Sequence, residues 1–131
     1  EKNRELYYEN LHNTRIKNDM LQWIKYFLIG VEQTATLAVD TLSKIISLKT
    51  NIEENIRFSY GRRSNVALML LHDLFENPFV TIDDVTKTCN LSYKAANDLV
   101  KKMQEDEYLT EMTGQTRNRI FVFKQYIDIF I

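Results

Sequence analysis

The chain carries one proline, three glycines and one cysteine. So few turn-forming residues leave few places for the backbone to reverse, which predicts long elements and mostly helix. The lone cysteine, Cys89, excludes an internal disulfide and fits a reducing compartment. Charge of one sign is missing as well: 17 basic and 18 acidic residues give a formal net charge of −1, without the positive excess that marks many nucleic-acid binders. No apolar run is long enough to span a bilayer and no signal peptide is visible, so no membrane partner and a cytoplasmic location are expected. The chain opens on Glu1 rather than Met, and its first residues already read as helix, so a piece of a longer protein is expected.

What is present is core material. At 131 residues, 44% hydrophobic with seven Tyr and seven Phe, the chain suits one domain or two very small ones and not disorder. Asn3 to about Arg15 carries a short amphipathic pattern through Leu6, Tyr7, Asn10 and Leu11, and Asn18 or Asp19 is a candidate helix cap. A regular stripe follows: Leu21, Ile24, Leu28, Val31, Ala35, Ala38, Leu42 and Ile45 alternate spacings of three and four, Ile52 and Ile56 continue the phase with Lys49 interrupting it, and Trp23, Phe27 and Ile46 widen the stripe. That spacing predicts one long helix from Met20 to about Arg57. Its breadth and its central alanines favour packing on other helices of the same chain over a self-associating coiled coil.

Ser59 to Ser64, with Gly61, reads as a linker, and Ser64 as the cap of a helix that Asn77-Pro78 ends. Thr81 and Asp84 form a capping-box pattern before a short helix; Asn90-Leu91 is a turn and Ser92 caps the next helix. Tyr108–Thr113 and Asn118–Phe123 alternate as two strands joined through Gly114, and Tyr126, Ile127, Phe130 and Ile131 suggest a last short helix. The expected fold is therefore mainly α with a small β-hairpin: a helical segment over 1–60, then a winged helix-turn-helix over 61–131.

In such an arrangement the helix from Ser92 to Glu107 enters the major groove and the hairpin lies along the backbone. Its outward face carries Tyr93, Lys94, Asn97, Lys101 and Lys102, with Arg117 and Arg119 on the hairpin. Amides can read base edges, adenine above all, and cations can neutralise phosphates. Against this, residues 61–131 hold nine basic and ten acidic residues. Contact with double-stranded DNA is then expected to be weak or to need a homodimer, and the same surface could dock a protein target instead.

Two stretches resemble a known family. "NRELYYENLHNTRIKNDMLQWIKYFLIGV" (Asn3 to Val31), with its Tyr7-Tyr8, Asn18-Asp19, Trp23-Ile24 and Tyr26-Phe27-Leu28, is similar to the closing helices of the Fic (filamentation induced by cAMP) catalytic domain. "GRRSNVALMLLHDLFENPFVTIDDV" and "LSYKAANDLV", with "TGQTRNRIFVF", resemble the winged helix that follows that domain in many bacterial Fic proteins. Asp106-Glu107 departs from the pattern, where the family usually turns on Gly. The resemblance implies an AMPylation enzyme as parent, an adenylyltransferase moving AMP from ATP to target-protein hydroxyls with Mg. Its signature, His-Pro-Phe followed by Gly-Asn-Gly-Arg, is not in this sequence, and neither His12 nor His72 stands in such a motif. The chain is then expected to be non-catalytic, without a cofactor of its own, and to adjoin an upstream Fic core. The rival expectation is a free-standing transcription regulator with the long helix as its dimerisation element.

The remaining constellations read as structure. His12, His72 and Cys89 lack metal-ligand spacing; His12 reads as an exposed helix residue, His72 as structural and Cys89 as a buried small apolar residue. Asp83-Asp84 suit a helix N-terminus. Thr50–Asn55, "TNIEEN", fits the inhibitory pattern of some Fic proteins with Glu54, but uses such common residue types that a solvated Glu54 is expected.

Overall fold

The computed structural model describes the backbone of residues 3–17 and 20–131, and the side chains of 3–13 and 20–131. The cap expected at Asn18 or Asp19 lies outside the described residues. The protein is mainly helical with a small antiparallel sheet. Helices α1 (Arg4–Lys17) and α2 (Met20–Ser59) come first, and a 3₁₀ turn (Gly61–Arg63) leads into α3 (Ser64–Glu76). Strand β1 (Phe79–Thr81), α4 (Ile82–Cys89), α5 (Tyr93–Glu105), β2 (Thr110–Glu111), β3 (Ile120–Val122) and α6 (Lys124–Ile127) follow, with a final 3₁₀ turn at Asp128–Phe130. The chain divides into two compact units, Glu1–Leu42 and Ser43–Ile131.

In the first unit, the Tyr26 hydroxyl of α2 donates to the carbonyl of Asn3 at 2.6 Å, and Trp23 stacks on Phe27. The rest of the apolar stripe of α2, which Trp23 and Phe27 widen, is exposed. Leu21, Ile24, Leu28, Val31 and Leu42 are all exposed, at 42–62% of their surface, so the described residues do not cover it.

In the second unit the stripe does find a core. Ile52 and Ile56, with Tyr60 just after α2, pack among Leu70, Leu71 and Leu74 of α3, Val85 of α4, and Leu99 and Met103 of α5. Phe121 and Phe123 are fully buried beneath them, and Phe123 and Tyr126 both meet Phe75 edge-on. The boundary expected at residue 60 thus falls inside this core; the unit begins at Ser43 because the last turns of α2 supply part of its apolar filling.

Local chemistry explains where the elements begin and end. Thr81 Oγ1 accepts from the Asp84 amide at 3.2 Å while Asp84 Oδ2 accepts from the Thr81 amide at 2.9 Å, so the capping box satisfies two amides of the first turn. Ser92 Oγ accepts from the Ala95 amide at the start of α5. Ser64 does not cap. The 3₁₀ turn before it occupies the leading amides, and its hydroxyl donates back to the Gly61 and Ile56 carbonyls. Asn90, at φ 52°, ends α4 in the left-handed region. Glu107, at φ 64°, does the same after α5: the Tyr108 amide reaches the Met103 carbonyl and the Glu107 amide reaches that of Gln104.

The sheet has three strands rather than the expected two, in the order β1-β3-β2. Phe79, Val80 and Thr81 pair with Val122, Phe121 and Ile120; Thr110 and Glu111 pair with Val122 and Phe121. Val80 opposite Phe121 faces the core, while Phe79 and Ile120 face out. The ladder is shorter than the alternation suggested, so most of 112–119 is loop.

Candidate functional site

Helix α5 turns one apolar face to the core through Ala96, Leu99, Val100 and Met103, which fixes what its other face presents. Tyr93, Lys94 and Lys101 are exposed there, as expected, together with Asp98. Arg117 is exposed in the β2–β3 loop. A cleft of about 320 Å³ opens between this loop, the start of α4 and the start of α5, lined among others by Tyr93, Arg117, Arg119, Thr81 and Asp83. The structure therefore brings Tyr93 together with both arginines, and places Lys94 and Lys101 further along the helix, outside the cleft.

Two of the expected cations are engaged within the protein. Lys102 is half-buried: its Nζ lies 3.4 Å from Asp106 Oδ1 and 5.3 Å from the centre of the Tyr60 ring. Arg119 is half-buried too, with Nη2 donating to Asn97 Oδ1 at 2.7 Å and its guanidinium over the Phe121 ring at 5.4 Å. The expected outward row thus shrinks to Tyr93, Lys94, Lys101 and Arg117, with Asn97 shared between the helix face and the loop.

The loop has its own internal support. The Glu111 carboxylate accepts from the amides of Thr113 at 2.8 Å and Gly114 at 3.0 Å, and from the Thr113 hydroxyl. Hydrogen bonding from the Thr113 side chain holds this carboxyl below its usual range, and the two amides and the Arg119 charge add to the effect. Gly114 at φ 62° and Asn118 at φ 53° turn the backbone on either side of Arg117.

Sequence reading missed Thr81 and Asp83 as walls of the cleft, because their capping role explained them fully. It also missed Phe121 as the platform under Arg119. His72 is exposed, 3.6 Å from Glu76 on the next turn of α3. Cys89 is buried, and burial pushes its thiol up, with the Asp73 charge adding to it. His12 and Glu54 are exposed. Among the described residues no group of three or more His, Cys, Asp or Glu could hold a metal ion, and no helix is long and apolar enough to cross a membrane. The chain matches no described protein family and no curated protein.

Proposed function

We propose that residues 43–131 act as a winged helix that binds double-stranded DNA, with α5 as the recognition helix and the β2–β3 loop as the wing. The observation that carries this reading is the exposed row Tyr93, Lys94 and Lys101 on one face of α5, with Arg117 presented beside Tyr93 across the cleft. Cations in this layout can meet phosphates on both sides of a groove while the helix lies in it. Three free cations are few, so binding is weak and its dependence on salt is shallow, about 0.9 log units per contact. An anisotropy titration of the chain against a duplex tests the reading; absence of binding at low salt sinks it and leaves the same face as a protein-docking surface.

For the first unit we propose the closing helices of a Fic-type adenylyltransferase domain, whose catalytic signature and ATP and Mg site belong to a parent protein. The motif resemblance over Asn3–Val31 supports this, and so does the uncovered face of α2. At 100° per residue, Leu21, Ile24, Leu28, Val31, Leu42 and Ile46, widened by Trp23 and Phe27, share a sector of about 160° that no charged residue between Leu21 and Ile46 enters. A face so wide suits the interior of a helical domain rather than a two-stranded seam. The upstream sequence decides: a parent without His-Pro-Phe and Gly-Asn-Gly-Arg is not this enzyme.

The same exposed face favours a second reading, a free-standing regulator that dimerises through α2. Sedimentation of the chain separates the two. A tight dimer that Leu28→Glu abolishes supports the regulator, and a monomer argues against it.

A further inference from the structure

The pairing of Asn97 with Arg119 joins two elements that the proposed function needs in register. Arg119 sits immediately before β3, and Asn97 lies in the second turn of α5, in the recognition helix. Arg119 Nη2 donates to Asn97 Oδ1 at 2.7 Å. A guanidinium only donates, so the pairing also fixes which way round the Asn97 amide stands: oxygen toward the wing, Nδ2 away from it. Arg119 is further held by its position over the Phe121 ring, whose side chain is fully buried in the core. Its charge also favours the ionised Glu111 carboxylate, which accepts from the Thr113 and Gly114 amides at the start of the loop. The Asn97–Arg119 hydrogen bond therefore links α5 to the residue that leads into β3.

We infer that Asn97 and Arg119 form a clamp that sets the wing against the recognition helix, so that Arg119 is a positioning residue and Arg117 the cation the wing presents. The clamp's role in recognition rests on the DNA-binding reading; the clamp itself does not. It also changes what Asn97 can do. Bidentate pairing with adenine needs the amide oxygen and nitrogen together, and here the oxygen is already an acceptor for Arg119. Reading adenine through Asn97 would have to use the second lone pair of Oδ1 while Arg119 holds the first.

The test is hydrogen exchange of the full chain, followed at the amides of Met112, Thr113 and Gly114. These are bonded to the Ile120 carbonyl and the Glu111 carboxylate, and the Phe123 amide, bonded to the Pro78 carbonyl, serves as reference. Arg119→Leu and Asn97→Leu should each speed exchange at the three hairpin amides roughly tenfold or more, since a bond to a charged group is lost. The double variant should add little, because both remove one contact. Arg119→Lys should not restore protection, because an ammonium lacks the planar fork that bonds Asn97 while lying over Phe121. Unchanged hairpin exchange in both single variants, with Phe123 still protected, overturns the clamp. So does full rescue by lysine, which would make the charge alone the cause. If Phe123 loses protection as well, the clamp is overturned as a local device, since the pair then supports the whole fold. In a duplex titration, Arg119→Leu should weaken binding while leaving the salt slope unchanged, whereas a phosphate contact would lower it by about one. If the unmutated chain binds no duplex, the DNA-binding reading falls, and the exchange result still decides the clamp.

Discussion

The hydroxyl of Tyr60 donates a 2.7 Å hydrogen bond to Asp106 Oδ2, tying the residue after α2 to the residue after α5. The ring is buried, and burial together with the Asp106 contact pushes the phenol far above its ordinary range, so it remains a donor at any physiological pH. Lys102 completes the arrangement from the other side of Asp106. Tyr60→Phe keeps the packing and strands a carboxylate that retains only Lys102 and some water. The expected cost is about 1–2 kcal/mol, read from urea unfolding with the slope unchanged. An unaltered midpoint would mean that the bond adds nothing to the joint between α2 and α5.

Glu107 occupies a left-handed position at the end of α5. A side chain there is strained, whereas glycine adopts φ 64° freely at the cost of greater freedom in the unfolded chain. The contacts that this position makes are all through its backbone: its amide donates to Gln104, and its carbonyl accepts from Gln125 Nε2. Glu107→Gly should therefore raise stability by about 0.5–1 kcal/mol, visible as a higher thermal midpoint. A lower midpoint would show that the carboxylate has a role beyond the turn.

Glu111 gives the hairpin a pH dependence of known sign. Its carboxyl is held below the ordinary value of 4.5, first by the Thr113 hydroxyl, so the folded state favours the ionised form. The stabilisation is complete above that ordinary value and is lost as pH falls through the lower folded value. The amides of Thr113 and Gly114 should lose exchange protection as the pH falls through that window, after correction for the intrinsic rate. In Glu111→Gln that pH step should vanish. A step that persists in the variant would assign it to another carboxylate.

How much of this was legible in the sequence depended on range. The capping pairs Thr81–Asp84 and Ser92–Ala95 follow from side chains three residues apart, and both are present. Ser64 was misjudged because the 3₁₀ turn before it satisfies the leading amides, and nothing in the local pattern announces that turn. The pairing of Val80 and Thr81 with Phe121 and Ile120 spans α4 and α5, and only the packed core dictates it. In the candidate site, helical spacing placed Tyr93, Lys94 and Lys101 outward correctly. It could not reveal that Arg119 turns back to Asn97 or that Lys102 leans onto Tyr60, because those directions depend on partners far along the chain. The stripe on α2 was visible as a stripe, but no local signal states what covers it.

The most direct measurement for the central claim is fluorescence anisotropy of the chain with a labelled duplex at several salt concentrations. With Lys94, Lys101 and Arg117 as phosphate contacts, the logarithm of affinity should fall against the logarithm of salt with a slope of about −3, near 0.9 per contact. Lys101→Ala and Arg117→Ala should each weaken binding to any duplex and reduce that slope by about one. No binding of the unmutated chain at low salt, or a slope that neither substitution alters, would contradict the account.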